Sequence, residues 1–328
     1  MASNVDSYFR SELESRRERL MEAIQITPSD DLTGLLAEVD SALDRIKTGT
    51  FGICESCHDS VELDRLTRDP LIRFCLDHLS TEERRALERD LETAASIQRS
   101  LLPPAEIRTS GWHVHYRYKP AGPVSGDYCD VIQSNNGDGE IVFLLGDVAG
   151  KGISASMLMA HLHAMFRSLI PLHRPIAQVL NTANRLFCES AARGLYATLV
   201  CGRASRDGEV EIGSAGHPPV WVTGCTQTKA IDATGLPLGM FSSSKYATHT
   251  LRLKPLQSLV LYTDGLSESR NADGIEYGAR RLREFVETQH GLNPVELSTA
   301  FLNDLQAYSG AGQPNDDLTL MVIRRLES

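Results

Sequence analysis

The run VSGDYCDVIQSNNGDGEIVFLLGDVAGKGI, Val124 to Ile153, narrows what this chain can fold into more than any other stretch. It reads as a strand, Tyr128 to Gln133, with Asp127 at its end, then a polar Asn/Gly/Asp turn and a second apolar strand, Ile141 to Leu145. Gly146-Asp147-Val148-Ala149-Gly150-Lys151-Gly152 then leads into a helix. Two carboxylates therefore stand near the ends of neighbouring strands, where the backbone is stiff and side chains can converge. Hard divalent cations such as Mg2+ and Mn2+ take oxygen ligands at short range, and a glycine beside an aspartate lets a main-chain carbonyl approach the ion. Taken alone, both aspartates are equally well explained as turn residues of a hairpin.

The same context recurs later. Leu259-Val260-Leu261-Tyr262 has the pattern of a buried strand and runs into Thr263-Asp264-Gly265, while Asn315-Asp316-Asp317 stands before the strand LTLMVI. Asp127, Asp147, Asp264 and Asp316/Asp317 thus all occupy strand ends beside glycines or polar turns, a repetition that turn chemistry does not require. Carboxylates without accompanying His/Cys pairs suit two hard cations about 3.5–4 Å apart that share a bridging aspartate, the arrangement of metal-assisted phosphoester hydrolysis. A nucleotide-binding P-loop is excluded, because GDVAGKG lacks the GxxxxGK[ST] spacing and Lys151 is followed by Gly152.

At 328 residues the chain has room for two domains. Its net charge of -10 argues against nucleic acid or an anionic membrane as the bulk partner. No apolar run approaches the roughly 18–20 residues of a bilayer span, and the charged, helical N-terminus lacks the apolar core of a signal peptide, so a cytoplasmic protein is expected. Residues 5 to 25 and 32 to 48 carry helical periodicity, with Tyr8, Leu13, Leu20 and Ile24 in the first and Leu35, Leu36, Val39, Leu43 and Ile46 in the second. TPSDD between them makes a turn in which Asp30 or Asp31 would be the N-cap, giving a helical hairpin.

Of seven cysteines, three crowd between residues 54 and 75. Cys54 and Cys57 form one knuckle, and Cys75 with His78 forms a second after seventeen intervening residues, a spacing that brings four ligands into the tetrahedron of a structural Zn2+. His58 competes for the fourth place, but His78 holds the symmetric slot. Cys129, Cys188, Cys201 and Cys225 lie among apolar residues and read as buried thiols. The segments ALDRIKTGTFGICESC, LDRL and FCLDH resemble the DksA/TraR-type zinc fingers of bacteria over roughly residues 35 to 80. His78 replaces that family's fourth cysteine and His58 its glycine after the second cysteine. The hairpin tip lacks the acidic motif through which some members bind RNA polymerase, so that partner is only weakly implied.

Ser80 to Leu102 is a charged helix with a narrow apolar stripe (Leu87, Leu91, Ala94, Ala95, Ile97, Leu101), a Ser80/Glu83 capping box and a Pro103-Pro104 stop. It reads as a linker or dimerising helix between a module at 1–79 and one at 105–328. In the latter, strands are expected near 112–118, 128–133, 141–145, 197–202, 210–214, 220–223, 248–253, 258–262 and 318–323, and helices near 154–170, 176–192, 279–289 and 294–308. That order suits an α+β fold in which helices cover a β-sandwich.

The motifs IQRSLLPP, VSGDYCD, GDVAGKG, YATL, SAGHPP, GLPLG, LYTDGLSE, NADGIEYG and NDDLT occur in the order found in PPM (protein phosphatase 2C-like) serine/threonine phosphatases, and from about Ile97 to Leu326 the chain resembles their bacterial branch of sporulation and stress sigma-factor regulators. The resemblance implies an αββα sandwich with two Mn2+ or Mg2+ ions at one edge. Asp127, Asp147, Asp264 and Asp316 would be the catalytic metal ligands, Asp147 as the bridge, with the Val148 carbonyl assisting and Asp317 as an outer or alternate ligand. It implies attack by water without a phosphoenzyme, on a phosphoserine or phosphothreonine of a regulatory protein of the anti-sigma factor antagonist type. A second reading, a non-catalytic zinc-finger regulator that binds RNA polymerase or another protein, is disfavoured by the complete acidic set. His217, held between Gly216 and Pro218, would orient a loop or carry a proton; Lys151 would meet phosphate or solvent; His161 and His163 read as packing or surface residues, and Glu268 as a partner within its own turn.

Overall fold

The computed structural model describes residues 2–78, 81–109, 111–134, 139–191, 194–224, 228–310 and 316–327; Ser80 of the capping box, the turn at 135–138, Cys225 and Asn315 lie outside them. The chain divides into two compact units, Met1–Asp90 and Leu91–Ser328. Among the described residues, no helix is long and apolar enough to cross a membrane.

In the first unit, α1 (Ala2–Ile26) and α2 (Asp30–Thr48) form the expected hairpin. Phe9, Leu13 and Leu20 pack with Val39, Ala42, Leu43 and Ile46. Tyr8, expected on the buried stripe, is 60% exposed; Phe9, one position round the helix and four before Leu13, takes its place. The N-cap is Ser29, one residue before the expected aspartate, and Asp30 and Asp31 sit in the first turn, where the helix dipole favours negative charge. Gly49 closes α2 in the left-handed conformation at φ 73°. A short α3 (Leu63–Arg68) follows, and α4 (Thr81–Leu101) contains the boundary between the units.

The second unit is an αββα sandwich. Its strands are β1 (Glu106–Thr109), β2 (Trp112–Lys119), β3 (Tyr128–Gln133), β4 (Ile141–Val148), β5 (Ala197–Ala204), β6 (Glu209–Ala215), β7 (Val220–Thr223), β8 (Lys229–Ile231), β9 (His249–Arg252), β10 (Ser258–Tyr262) and β11 (Leu318–Arg325). One sheet has the order β1-β2-β11-β10-β7-β8 and the other β3-β4-β5-β6-β9. Helices α5 (Gly152–Leu169) and α6 (Ile176–Ser190) cover the second sheet, and α8 (Gly278–Thr288) and α9 (Pro294–Ser309) cover the first; a short α7 (Asp264–Ser267) follows β10. Along β4, Val142 and Leu144 face the helices, whereas Phe143 and Leu145 face the other sheet. Both faces are buried, so the strand is a continuous apolar run rather than an alternating one. The edge strands EIRT and KAI are short and mostly exposed, and carry no such signal in the sequence.

Close packing between the sheets is tested at Gly202, opposite Phe143 in the β4–β5 register. A Cβ there would stand 2.1 Å from the Phe143 ring. Gly202→Ala is therefore expected to cost about 1–3 kcal/mol through overpacking, read as a lower urea midpoint with an unchanged slope.

Candidate active site

Strand register gathers the acidic residues at one edge of the sandwich. In one sheet Tyr128 is opposite Gly146, so one step beyond that pair Asp127 comes beside Asp147. In the other, Tyr262 is opposite Leu320 and the Thr263 N–H donates to the Thr319 carbonyl at 3.0 Å, which places Asp264 and Asp316-Asp317 at the matching end. Asp127 joins the two sheets: it is only 1% exposed, and its Oδ2 accepts the hydroxyls of Thr263 (3.0 Å) and Thr319. Asp317 accepts two main-chain N–H groups, from Ala121 and Gly126, both at 2.8 Å. Its carboxylate thus clamps the segment leading to Asp127.

The carboxylates oppose one another's ionisation. Asp147 is pushed up to about 7, first by burial and then by the charges of Asp264, Asp316 and Asp317, against the opposing pull of Lys151. Burial, then the Asp147 charge, holds Asp127 well above the usual carboxylate range, and burial followed by Asp316 raises Asp264. The backbone is cut close around them. A Cβ on Gly126 would lie 3.1 Å from the Val148 carbonyl oxygen and 3.5 Å from Asp147 Oδ1, so those two oxygens converge on one side. At Gly265 a Cβ would lie 2.1 Å from the Asp317 carbonyl oxygen. Converging, mutually repelling oxygen donors fit hard divalent cations.

Neighbouring groups divide into supports and bystanders. Lys151 Nζ pairs with Asp316 Oδ2 at 2.9 Å, which raises the lysine's pKa. His217 is buried, its Nδ1 2.9 Å from Thr198 Oγ1, and Thr198 is opposite Asp147 in the β4–β5 register. Burial lowers His217 to about 3, so it is neutral, and its contact with Thr198 supports the strand beside Asp147. His161 bonds Ser190, and His163 lies edge-on to Tyr128. The Glu268 N–H, not its carboxylate, bonds the Asp264 carbonyl at 2.8 Å. Sequence reasoning missed Thr263, Thr319, Ser125 and Gln98, because threonines in strand-like runs and a glutamine on a charged helix carry no distinguishing pattern.

A second donor set lies in the first unit. Among the described residues, the group whose metal-donor atoms all lie within 4.8 Å of one another is Cys54, Cys57, Cys75 and His78; the aspartates share an edge but form no cluster so tight. Cys57 Sγ is 3.7 Å from Cys75 Sγ, which is 3.3 Å from His78 Nδ1. Burial by itself would raise the Cys54 thiol, but N–H groups of Cys75, Cys57 and Ser56 aimed at the sulfur bring it to about 6. His58 is exposed, outside this group, and holds φ 61° at the position where the resembling fingers have glycine.

A family model described as stage II sporulation protein E (SpoIIE) matches residues 137–326, beginning after Asp127. The chain is similar to phosphoserine phosphatase RsbU of Bacillus subtilis, 26% identical over 73% of this chain and 71% of that protein. It is also similar to protein IcfG of Synechocystis sp., 25% identical over 72% of this chain, and to phosphoserine phosphatase RsbP of Bacillus subtilis, 27% identical over 55%. It spans only 41% of IcfG and 46% of RsbP. Among solved structures, the SiaA-PP2C domain of Pseudomonas aeruginosa superposes with a TM-score of 0.66 at 18% identity, over 76% of this chain and all of that one. The PP2C phosphatase domain of SpoIIE from Bacillus subtilis, with a fragment of its regulatory domain, gives 0.57 at 19% identity, over 68% of this chain and 64% of that one. These two likenesses establish the fold.

Proposed function

The chain belongs to the stage II sporulation protein E (SpoIIE) family, and from that membership we propose that it is a metal-dependent protein serine/threonine phosphatase. The substrate in this reading is a phosphorylated regulatory protein of the anti-sigma factor antagonist type, acted on in the cytoplasm within a bacterial partner-switching pathway. The observation that carries the reading is the meeting of Asp127, Asp147, Asp264 and Asp316 at one sandwich edge, with Asp127 fastened across the sheets by Thr263 and Thr319. Asp127, Asp147, Asp264, Asp316 and the Val148 carbonyl would hold two Mn2+ or Mg2+ ions, with Asp147 shared between them. Asp317, already engaged by two N–H groups, would act from outside that set. Bound there, the ions supply positive charge against the phosphoryl oxygens and acidify the attacking water. The protein's part is to hold the carboxylates converged, so that bound cations would offset their mutual repulsion, and to keep Lys151 at the rim, where it neutralises Asp316.

Cys54, Cys57, Cys75 and His78 would bind one structural Zn2+ in a module at residues 1–79. Residues 80–104 would link that module to the phosphatase domain at 105–328 and pair two chains as a homodimer; Leu87 and Ile97 on this helix are 42% and 58% exposed. Two relatives carry the name phosphoserine phosphatase, which favours a phosphoserine protein over a small metabolite.

The test is hydrolysis of p-nitrophenyl phosphate and of a phosphoserine protein by the full chain during a Mn2+ titration. Turnover that appears with Mn2+ and vanishes with chelator is expected. A folded chain that binds phosphoprotein but releases no phosphate at any Mn2+ concentration would return the non-catalytic regulator as the better reading.

A further inference from the structure

We propose that Gln98, near the C-terminal end of α4, is a positioning residue for the acidic site: its amide fixes the irregular segment before β3 and, through Ser125, sets where Asp127 stands. This rests on the phosphatase reading above and adds to it a residue outside the sandwich.

Residues 121 to 127 belong to no strand or helix, so their main-chain groups need partners from elsewhere. Gln98 is 7% exposed on a helix whose neighbouring positions, Ile97 and Arg99, face solvent. Its Nε2 donates to the Ser125 carbonyl at 2.7 Å, and its Oε1 accepts the Ser125 N–H at 3.0 Å. Both ends of the amide are spent on one residue, the pairing that a neighbouring strand would otherwise provide. The next two N–H groups are also held by side chains. Gly126 donates to Asp317 Oδ2 at 2.8 Å, and Asp127 donates to Ser125 Oγ at 3.0 Å. Ser125 is thus gripped by Gln98 through its backbone while its own hydroxyl grips Asp127.

The end of the helix is pinned independently, since Tyr116 Oη donates to the Pro103 carbonyl at 2.6 Å. Gln98 is therefore presented from a fixed point. Removing its amide strands a buried N–H and a buried carbonyl one residue from the glycine that packs against Val148 and Asp147. The position of Asp127 against Asp147 then loses the support that Gln98 brings from α4.

The experiment compares the full-length native chain with Gln98→Leu and with Arg99→Ala, an exposed neighbour. Mn2+ binding is read from the free-ion EPR signal, alongside melting temperature and turnover of p-nitrophenyl phosphate. Gln98→Leu is expected to weaken Mn2+ binding by about tenfold, the scale of lost outer-shell support, with turnover recovering at saturating Mn2+; Arg99→Ala should match the native chain. If Gln98→Leu does not fold, Ser125→Ala carries the test, because it keeps both backbone bonds and deletes the hydroxyl that accepts the Asp127 N–H. Weaker Mn2+ binding by that variant supports the relay. Mn2+ binding within about twofold of native in the folded variants, well short of an outer-shell effect, with only the melting temperature lowered, would make Gln98 a packing residue and overturn the inference. A native chain that neither binds Mn2+ nor releases phosphate is a different result, in which the phosphatase reading itself fails.

Discussion

Asp147→Asn is expected to lower phosphoserine hydrolysis at saturating Mn2+ by on the order of 10²–10³-fold, the scale of losing one preorganised charge-stabilising group. The substitution keeps the volume and removes the charge. Asp147 is where that loss matters most, because burial and the charges of Asp264, Asp316 and Asp317 all act on it. The same crowding predicts a pH signature without metal. Folded Asp147 titrates at about 7, against an unperturbed 3.8, so between those values the folded state holds a proton that the unfolded state has released. Metal-free stability must then fall as pH rises through that window. The raised values of Asp127 and Asp264 act in the same direction. Melting temperatures at pH 5 and pH 8, with and without Mn2+, measure this: the metal-free chain should be less stable at pH 8, Mn2+ should restore it there, and Asp147→Asn should flatten the metal-free dependence. Equal metal-free stability at both pH values, together with native turnover by the variant, would remove Asp147 from the site.

The aspartates were legible because each interrupts an apolar run beside a glycine or a polar turn, and a run buried on both faces is hard to mistake. Their convergence was less legible. It depends on antiparallel register within each sheet and on the stacking of the two sheets, neither of which is written in local pattern. Thr263 and Thr319 show the difference. Each looks like a β-branched strand former, and only the pairing of β10 with β11 turns both hydroxyls onto an aspartate of the other sheet. Gln98 was hidden for the same reason, since on a charged helix a glutamine reads as surface. The exchange of Tyr8 for Phe9 is subtler: adjacent aromatics fit a helical stripe equally well on paper, and the final choice goes to the one that packs, Phe9 at 5.3 Å between ring centres from Phe51. His58 has the identity of a zinc ligand, whereas its left-handed backbone shows a residue filling a turn position suited to glycine.

If Cys54, Cys57, Cys75 and His78 hold zinc as proposed, stripping the first unit of it is expected to unfold the segment from Thr50 to His78 while leaving the sandwich intact. Within that segment the longest described helix, α3, has six residues, and Cys54 and Cys75 are themselves 0% and 5% exposed in the unit's core. A core of this size supplies only about 3–5 kcal/mol by itself, whereas a structural zinc contributes about 10–16 kcal/mol of apparent binding energy at neutral pH. Hydrogen exchange should therefore lose protection at the N–H groups of Cys54, His58 and Val61, which bond Asp59, Cys54 and Gly52. Protection along β4 should persist, because Phe143 and Leu144 belong to clusters that share no residue with the zinc-side core. Elemental analysis should find one zinc per chain in the native protein and none after Cys54→Ser, with the same loss of protection. A zinc-free native chain whose Cys54 amide stays protected would show instead that these four side chains pack as a core without a metal.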